Sequence, residues 1–123
     1  MERPFAHLGR TLPQCDVVRL RRELITKLSG HFHSERTDAV PVACRICAQT
    51  VSSGLDASWF DATSRAVLYM ENYDEMLLVD VAEAIKFFSN REPWEDYDAC
   101  LFDEQMSWCA ALTHNGEAKF LRF

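Results

Sequence analysis

The sequence predicts an α+β domain, with about three helices packed mainly on one face of an antiparallel sheet of about four to five strands. Three observations carry that prediction. Apolar residues recur at helical spacing through the first half of the chain, the last quarter changes to short strand-like runs, and helix and strand come in runs rather than in β-α-β alternation. With 123 residues, 48% of them hydrophobic, the chain is long enough to bury one core and too short for two, so residues 1–123 read as one domain. Residues 1–15 precede the first patterned element and read as a flexible end.

The first helix is expected over 17–29. Val17, Leu20, Leu24 and Leu28 share one face, Arg19, Arg22, Glu23 and Lys27 take the others, Asp16 stands where a cap accepts a first-turn N–H, and Gly30 follows the stop. After a polar connection from His31 to Asp38, a second helix is expected over about 40–52, where Val40, Ala43, Cys44, Cys47, Ala48 and Val51 follow helical spacing. Pro41 suits its first turn and Gly54 its exit, although the β-branched content leaves a strand open.

Ala66, Val67, Leu68, Tyr69 and Met70 form an apolar run too short for a helix and rich in strand formers, so they read as the first strand. Glu71 to Glu75 breaks the run, and 76–79 is expected to pair back as a hairpin. Asp80 and Glu83 resemble a capping box for a third helix over 81–89, which Asn90 and Pro93 end. From Tyr97 onward, runs over 98–103, 107–113 and 117–122 predict a meander. Its last turn, Asn115-Gly116, suits a type I′ conformation.

Charge narrows the function classes. The net charge is −6, with no clustered Lys/Arg of the kind a phosphate backbone requires, so nucleic acid is not an expected partner. No segment approaches the roughly 18 uncharged apolar residues that span a bilayer, and the charged N-terminal stretch lacks a signal-type apolar run, so neither membrane insertion nor export is expected. Five cysteines, an odd number lying mostly in apolar runs, fit a reducing cytoplasm. Residues 1–50 carry eight Lys/Arg against five Asp/Glu, whereas 51–123 carry five against fourteen. The excess is concentrated in 71–104, with eleven acidic residues against Lys86 and Arg91.

Candidate chemistry is sparse. Cys44-Arg45-Ile46-Cys47 is a CxxC pair that, with His31 and His33, could supply four zinc ligands. Both cysteines also fit the apolar stripe of the expected second helix, where a reduced core pair explains them without a metal. Cys109 with His114 lacks the spacing of a nucleophile and its base on one strand. Ser107, Asp103 and His114 have the residue types of a triad without its nucleophile turn, and His114 is better read as a hydrogen-bonding residue near a hairpin, opposite Glu117. Carboxylate pairs such as Glu71 with Asp74 and Asp96 with Asp98 are too common here to signal acid/base catalysis. No phosphate loop, metalloprotease helix or calcium loop is present. No catalytic residue, resident metal or cofactor is assigned.

The acidic window is the better candidate. A charge run usually means a solvated surface. Here, however, Tyr73, Trp94 and Tyr97 are interleaved with the carboxylates, and aromatic anchors in an acidic setting suit a basic protein partner. The expected contact region is Glu71, Tyr73, Asp74, Glu75, Trp94, Glu95, Asp96 and Asp98.

The C-terminal third also resembles a known group. Trp94-Glu95-Asp96-Tyr97-Asp98, Leu101-Phe102-Asp103, Met106-Ser107-Trp108-Cys109 and Leu112-Thr113-His114-Asn115 are similar to the ending of small bacterial immunity proteins of polymorphic-toxin systems. The resemblance implies a cytoplasmic, non-enzymatic inhibitor that blocks a cognate toxin, commonly a nuclease. It transfers no catalytic residue, and it leaves Trp108 and Thr113 as fold-determining positions. Two other readings stand beside it: a small metal-binding or thiol-dependent protein using Cys44, Cys47, His31 and His33, and an adaptor or homo-oligomer subunit that buries the same aromatics.

Overall fold

The computed structural model describes residues 5–32, 40–48, 50–60, 64–90 and 97–123. Among them lie three α-helices and one antiparallel sheet of seven strands. In chain order these are β1 (Gly9–Thr11), α1 (Gln14–Leu28), α2 (Val42–Arg45), β2 (Thr50–Ser52), β3 (Arg65–Met70), β4 (Glu75–Asp80), α3 (Val81–Ser89), β5 (Ala99–Phe102), β6 (Trp108–Leu112) and β7 (Ala118–Arg122). Across the sheet the order is β1, β4, β3, β5, β6, β7, β2.

The α+β class is as expected, but seven strands replace the four to five predicted. The two additional edge strands, β1 and β2, are three residues each and carry almost no buried side chain, so they leave no alternation to read. Backbone pairing defines them: β1 lies on β4, with Gly9 opposite Val79, and β2 lies on β7, with Val51 opposite Lys119. Of the end read as flexible over 1–15, the described residues, from Phe5 on, are packed against the sheet. Phe5 is fully buried, and Leu12 N donates to Met76 O at 2.8 Å just beyond β1.

The central strands separate their side chains onto two faces, and both faces are covered. Ala66, Leu68 and Met70 of β3 join a core with Phe5, Val81, Ala84, Phe88 and Tyr97, whereas Val67 and Tyr69 join one with Val17, Leu20, Leu24, Leu28, Val42 and Ile46. Helices therefore sit on both faces, α3 on one and α1 with α2 on the other, rather than mainly on one. Burial on both sides is why 66–70 reads as an unbroken apolar run.

Local signals fared unevenly. The apolar face of α1 is the one read from sequence, but the helix starts at Gln14 behind Pro13, and Asp16 lies in its first turn, 3.4 Å from Arg19. The span of α3 matches, and its N-cap Asp80 makes no side-chain cap bond. The capping box is thus corrected: the Asp80 carboxylate stands 3.9 Å from Arg65, and Val81 N donates to Ser64 O. The hairpin of β3 and β4 forms as expected, as does the meander of β5, β6 and β7. The last turn is not type I′, because Gly116 has φ 81° whereas Asn115 keeps negative φ.

The largest departure is the second helix, shortened from 40–52 to Val42–Arg45. Ile46 turns extended and bridges Phe32, and the buried Lys119 Nζ donates to the carbonyls of Ala43 (3.2 Å) and Ile46 (2.8 Å). A longer helix would need those carbonyls for its own N–H groups.

Candidate functional site

Register brings one end of the sheet together. Met70 pairs with Ala99, Ala99 with Leu112, and Leu112 with Ala118. The 71–75 connection, residues 97–98 and the 113–117 turn therefore emerge side by side. They are tied by backbone bonds from Glu71 N to Asp98 O (3.0 Å) and by Asp98 N donating to Asn72 Oδ1 (2.9 Å).

Two charged side chains at this end hold α2 in place. The Glu71 carboxylate accepts from Val42 N at 2.7 Å and Ala43 N at 2.8 Å, satisfying two of the free N–H groups at the helix start. Burial nevertheless pushes its carboxyl above the ordinary value, against the lowering effect of those two bonds. Lys119 takes the carbonyls at the other end. The residue gripped between them is Cys44.

Cys44 faces two residues distant in sequence. Its thiol donates to Asp98 Oδ1 at 3.3 Å, and its sulfur lies 3.9 Å from His114 Nδ1. Asp98 is only 4% exposed, and it also accepts from the His114 backbone N–H at 3.0 Å. His114 Nδ1 stands 3.0 Å from Asp98 Oδ1 and 3.3 Å from Oδ2. An ionised carboxylate only accepts, so Nδ1 carries the proton and donates. Burial, then the hydrogen bond with Asp98 and its charge, push the Cys44 thiol up to about 11, with Lys119 acting in the opposite direction.

This arrangement is unsuited to a nucleophilic thiol. A cysteine and its base need one imidazole nitrogen for the thiol proton and the other for the orienting carboxylate. Here a single nitrogen, Nδ1, faces both. The same atoms do make a set of potential metal ligands, since the sulfur, a carboxylate oxygen and Nδ1 all lie within 4.8 Å of one another.

Beside this knot lies a hollow of about 180 Å³ lined by Arg21, Val40, Pro41, Tyr69, Glu71, Asn72 and Asp98. Arg21 Nε donates to Tyr69 OH at 2.9 Å, and that hydroxyl donates to Asp74 Oδ1 at 3.1 Å. Burial raises the Tyr69 hydroxyl to about 12, against the lowering effect of Arg21, so it is a donor at neutral pH.

The residues expected at a partner surface divide. Asp74 is exposed, in the left-handed conformation, and Glu75 is half-buried at the start of β4. Tyr73 is half-buried with its ring edge on Phe5, 4.8 Å between centroids. Glu71 and Asp98 turn inward as described, and Tyr97 is 4% exposed among Phe87 and Phe88, which removes it as a surface anchor. Trp94, Glu95 and Asp96 lie outside the described residues.

Other candidates are redistributed. Cys47 is exposed, so a buried pair with Cys44 is corrected. Its amide donates to His31 O at 2.6 Å while the His31 ring meets Phe123, and His33 lies outside the described residues. Cys109 is buried against Cys100, away from His114. The Asp103 carboxylate accepts from the Ser107 hydroxyl, from Ser107 N (2.7 Å) and from Trp108 N (3.3 Å), an arrangement that caps the turn between β5 and β6. His114 is not with it, so the Ser107 triad does not form. Thr113 is buried and Trp108 is half-buried against the core.

No sequence signal pointed to Cys44, Asp98 and His114 as a group. They lie 54 and 16 residues apart in the pairs that touch: strand register brings Asp98 beside His114, and the bonds from α2 to Glu71 and Lys119 bring Cys44 to them. No family model, curated protein or solved structure matches the chain. No helix among the described residues is long and apolar enough to cross a membrane.

Proposed function

We propose that the chain is a non-enzymatic binding protein, an immunity-like inhibitor that neutralises a basic toxin domain, such as a nuclease, in the cytoplasm. The carrying observation is the register at one end of the sheet. The two halves of the acidic window, 71–75 and 97–98, are separated in sequence by β4 and α3 and are brought side by side by the pairing of Met70 with Ala99. Trp94, Glu95 and Asp96 immediately precede this junction in the chain.

In this reading Asp74 and Glu75, with Trp94, Glu95 and Asp96, make the contact, while Glu71 and Asp98 brace it from beneath. A basic partner suits it better than a second copy of the chain, because a net charge of −6 on each copy opposes self-association. Opposite charge would speed encounter, and Trp94, the one aromatic anchor kept in this reading, would slow release.

Affinity capture from the native cell tests this. The wild-type protein is expected to retain a basic protein that elutes as salt is raised. The triple variant Asp74→Lys, Glu95→Lys, Asp96→Lys should lose it while still unfolding in one cooperative denaturant transition, at a midpoint lowered by the loss of the Tyr69 hydroxyl bond to Asp74. Equal capture by the folded triple variant would remove the proposed surface.

A further inference from the structure

Cys44, Asp98 and His114 come from α2, from the residue before β5 and from the turn between β6 and β7, and they present three different donor types to one point. We propose that they bind one zinc-class divalent ion through Cys44 Sγ, an Asp98 carboxylate oxygen and His114 Nδ1, with a water completing the tetrahedron where His114 stands half exposed.

Distances carry the proposal first. Around a tetrahedral zinc, with bonds of about 2.3 Å to sulfur and about 2.0 Å to nitrogen or oxygen, donor atoms stand roughly 3.3 to 3.6 Å apart. The observed separations are 3.3 Å from sulfur to Oδ1, 3.9 Å from sulfur to Nδ1, and 3.0 and 3.3 Å from Nδ1 to the two carboxylate oxygens. A few tenths of an ångström would convert the hydrogen-bonded triangle into a coordination triangle. Rigidity is the second argument. A four-residue helix gripped at its N–H groups by Glu71 and at its carbonyls by Lys119 fixes the backbone that carries Cys44, which is the service supporting residues give a metal ligand.

Donor chemistry selects the ion. Thiolate and imidazole favour zinc and its neighbours over calcium or magnesium, which take oxygen ligands. Binding balances simply: the Cys44 thiol proton leaves to solvent, and the His114 proton moves from Nδ1 to Nε2, freeing the Nδ1 lone pair. One thiolate and one carboxylate then neutralise the two positive charges. The rival account is a purely structural knot in which Asp98 satisfies the thiol, the imidazole and the His114 amide; it predicts no affinity for the ion.

Cobalt(II) separates the two. Reduced protein carrying Cys15→Ser and Cys47→Ser, which remove the exposed thiols, is expected to bind one equivalent. Binding should show as a thiolate-to-cobalt charge-transfer band, be displaced by zinc and release one proton per ion. Adding Cys44→Ser should abolish the band. His114→Ala, at a side chain 49% exposed and therefore tolerated by the fold, should weaken binding at least about tenfold. Absence of the band, its survival in the Cys44→Ser protein, or unchanged affinity in His114→Ala would each overturn the site. Because this titration uses the protein alone, its outcome is distinct from that of partner capture.

Discussion

Single residues at the end of the sheet where 71–75, 97–98 and 113–117 emerge show how surroundings rather than residue type set chemistry. Cys44 is half-buried, but burial and the Asp98 carboxylate hold its thiol proton up to about 11, whereas Cys15 and Cys47 are exposed. Only a thiolate attacks an alkylating reagent. Brief iodoacetamide treatment of the metal-free protein at neutral pH, mapped by mass spectrometry, should therefore modify Cys15 and Cys47 well before Cys44. Equal labelling of Cys44 would mean that its thiol proton is not held as described.

Glu71 gives a pH dependence of definite sign. Burial raises its carboxyl above the ordinary 4.5, so the folded chain holds that proton more tightly than the unfolded chain. Its contribution favours folding below 4.5 and is lost as pH rises through the raised folded value. In Glu71→Gln that component is absent. The unfolding free energy of wild type minus variant, followed by urea denaturation upward from acid pH, should fall across this window. A flat difference would show that the two N–H bonds from α2 fully offset the burial.

At the scale of elements, pairing decides what side-chain patterns cannot. Gly9 sits on β1 so close to β4 that a Cβ there would collide with the backbone carbonyl of Leu78, an atom that cannot move without breaking the ladder. Gly9→Ala should detach β1, seen as faster amide exchange at residues 9–11, with α1 retained. Leu24 is the converse case, an apolar side chain fully buried between α1 and the sheet. Leu24→Ala should cost about 2 to 5 kcal/mol in denaturant unfolding.

The contrast shows which elements were legible. The helical periodicity of Val17, Leu20, Leu24 and Leu28, and the apolar run at 66–70, come from burial against a core, so they are written in side-chain type. The short edge strands β1 and β2 are held by backbone bonds with mostly exposed side chains, and they left no such record. The stripe from Val40 to Val51 overpredicted a helix, because the side chain that ends α2 at Arg45 belongs to Lys119 on a distant strand. No local window contains that information.

For the whole molecule, charge and composition needed no structure. The acidic excess over 71–104 and the lack of clustered cations follow from residue counts, and the proposed basic partner rests on them through electrostatics, whereas the division of the interior into two cores, one on each face of the sheet, was not in those counts. Tertiary structure decided which carboxylates remain available: it turned Asp98 and Glu71 inward as acceptors and left Asp74 outside. It also supplied the partners of His114, which reads from the sequence as a hydrogen-bonding residue near a hairpin, opposite Glu117: its backbone N–H and Nδ1 both meet Asp98, and Cys44 lies beside it. The physical reason is range. Periodicity and charge act between near neighbours and survive in a linear reading, whereas strand register joins residues tens of positions apart and exists only once the sheet has formed.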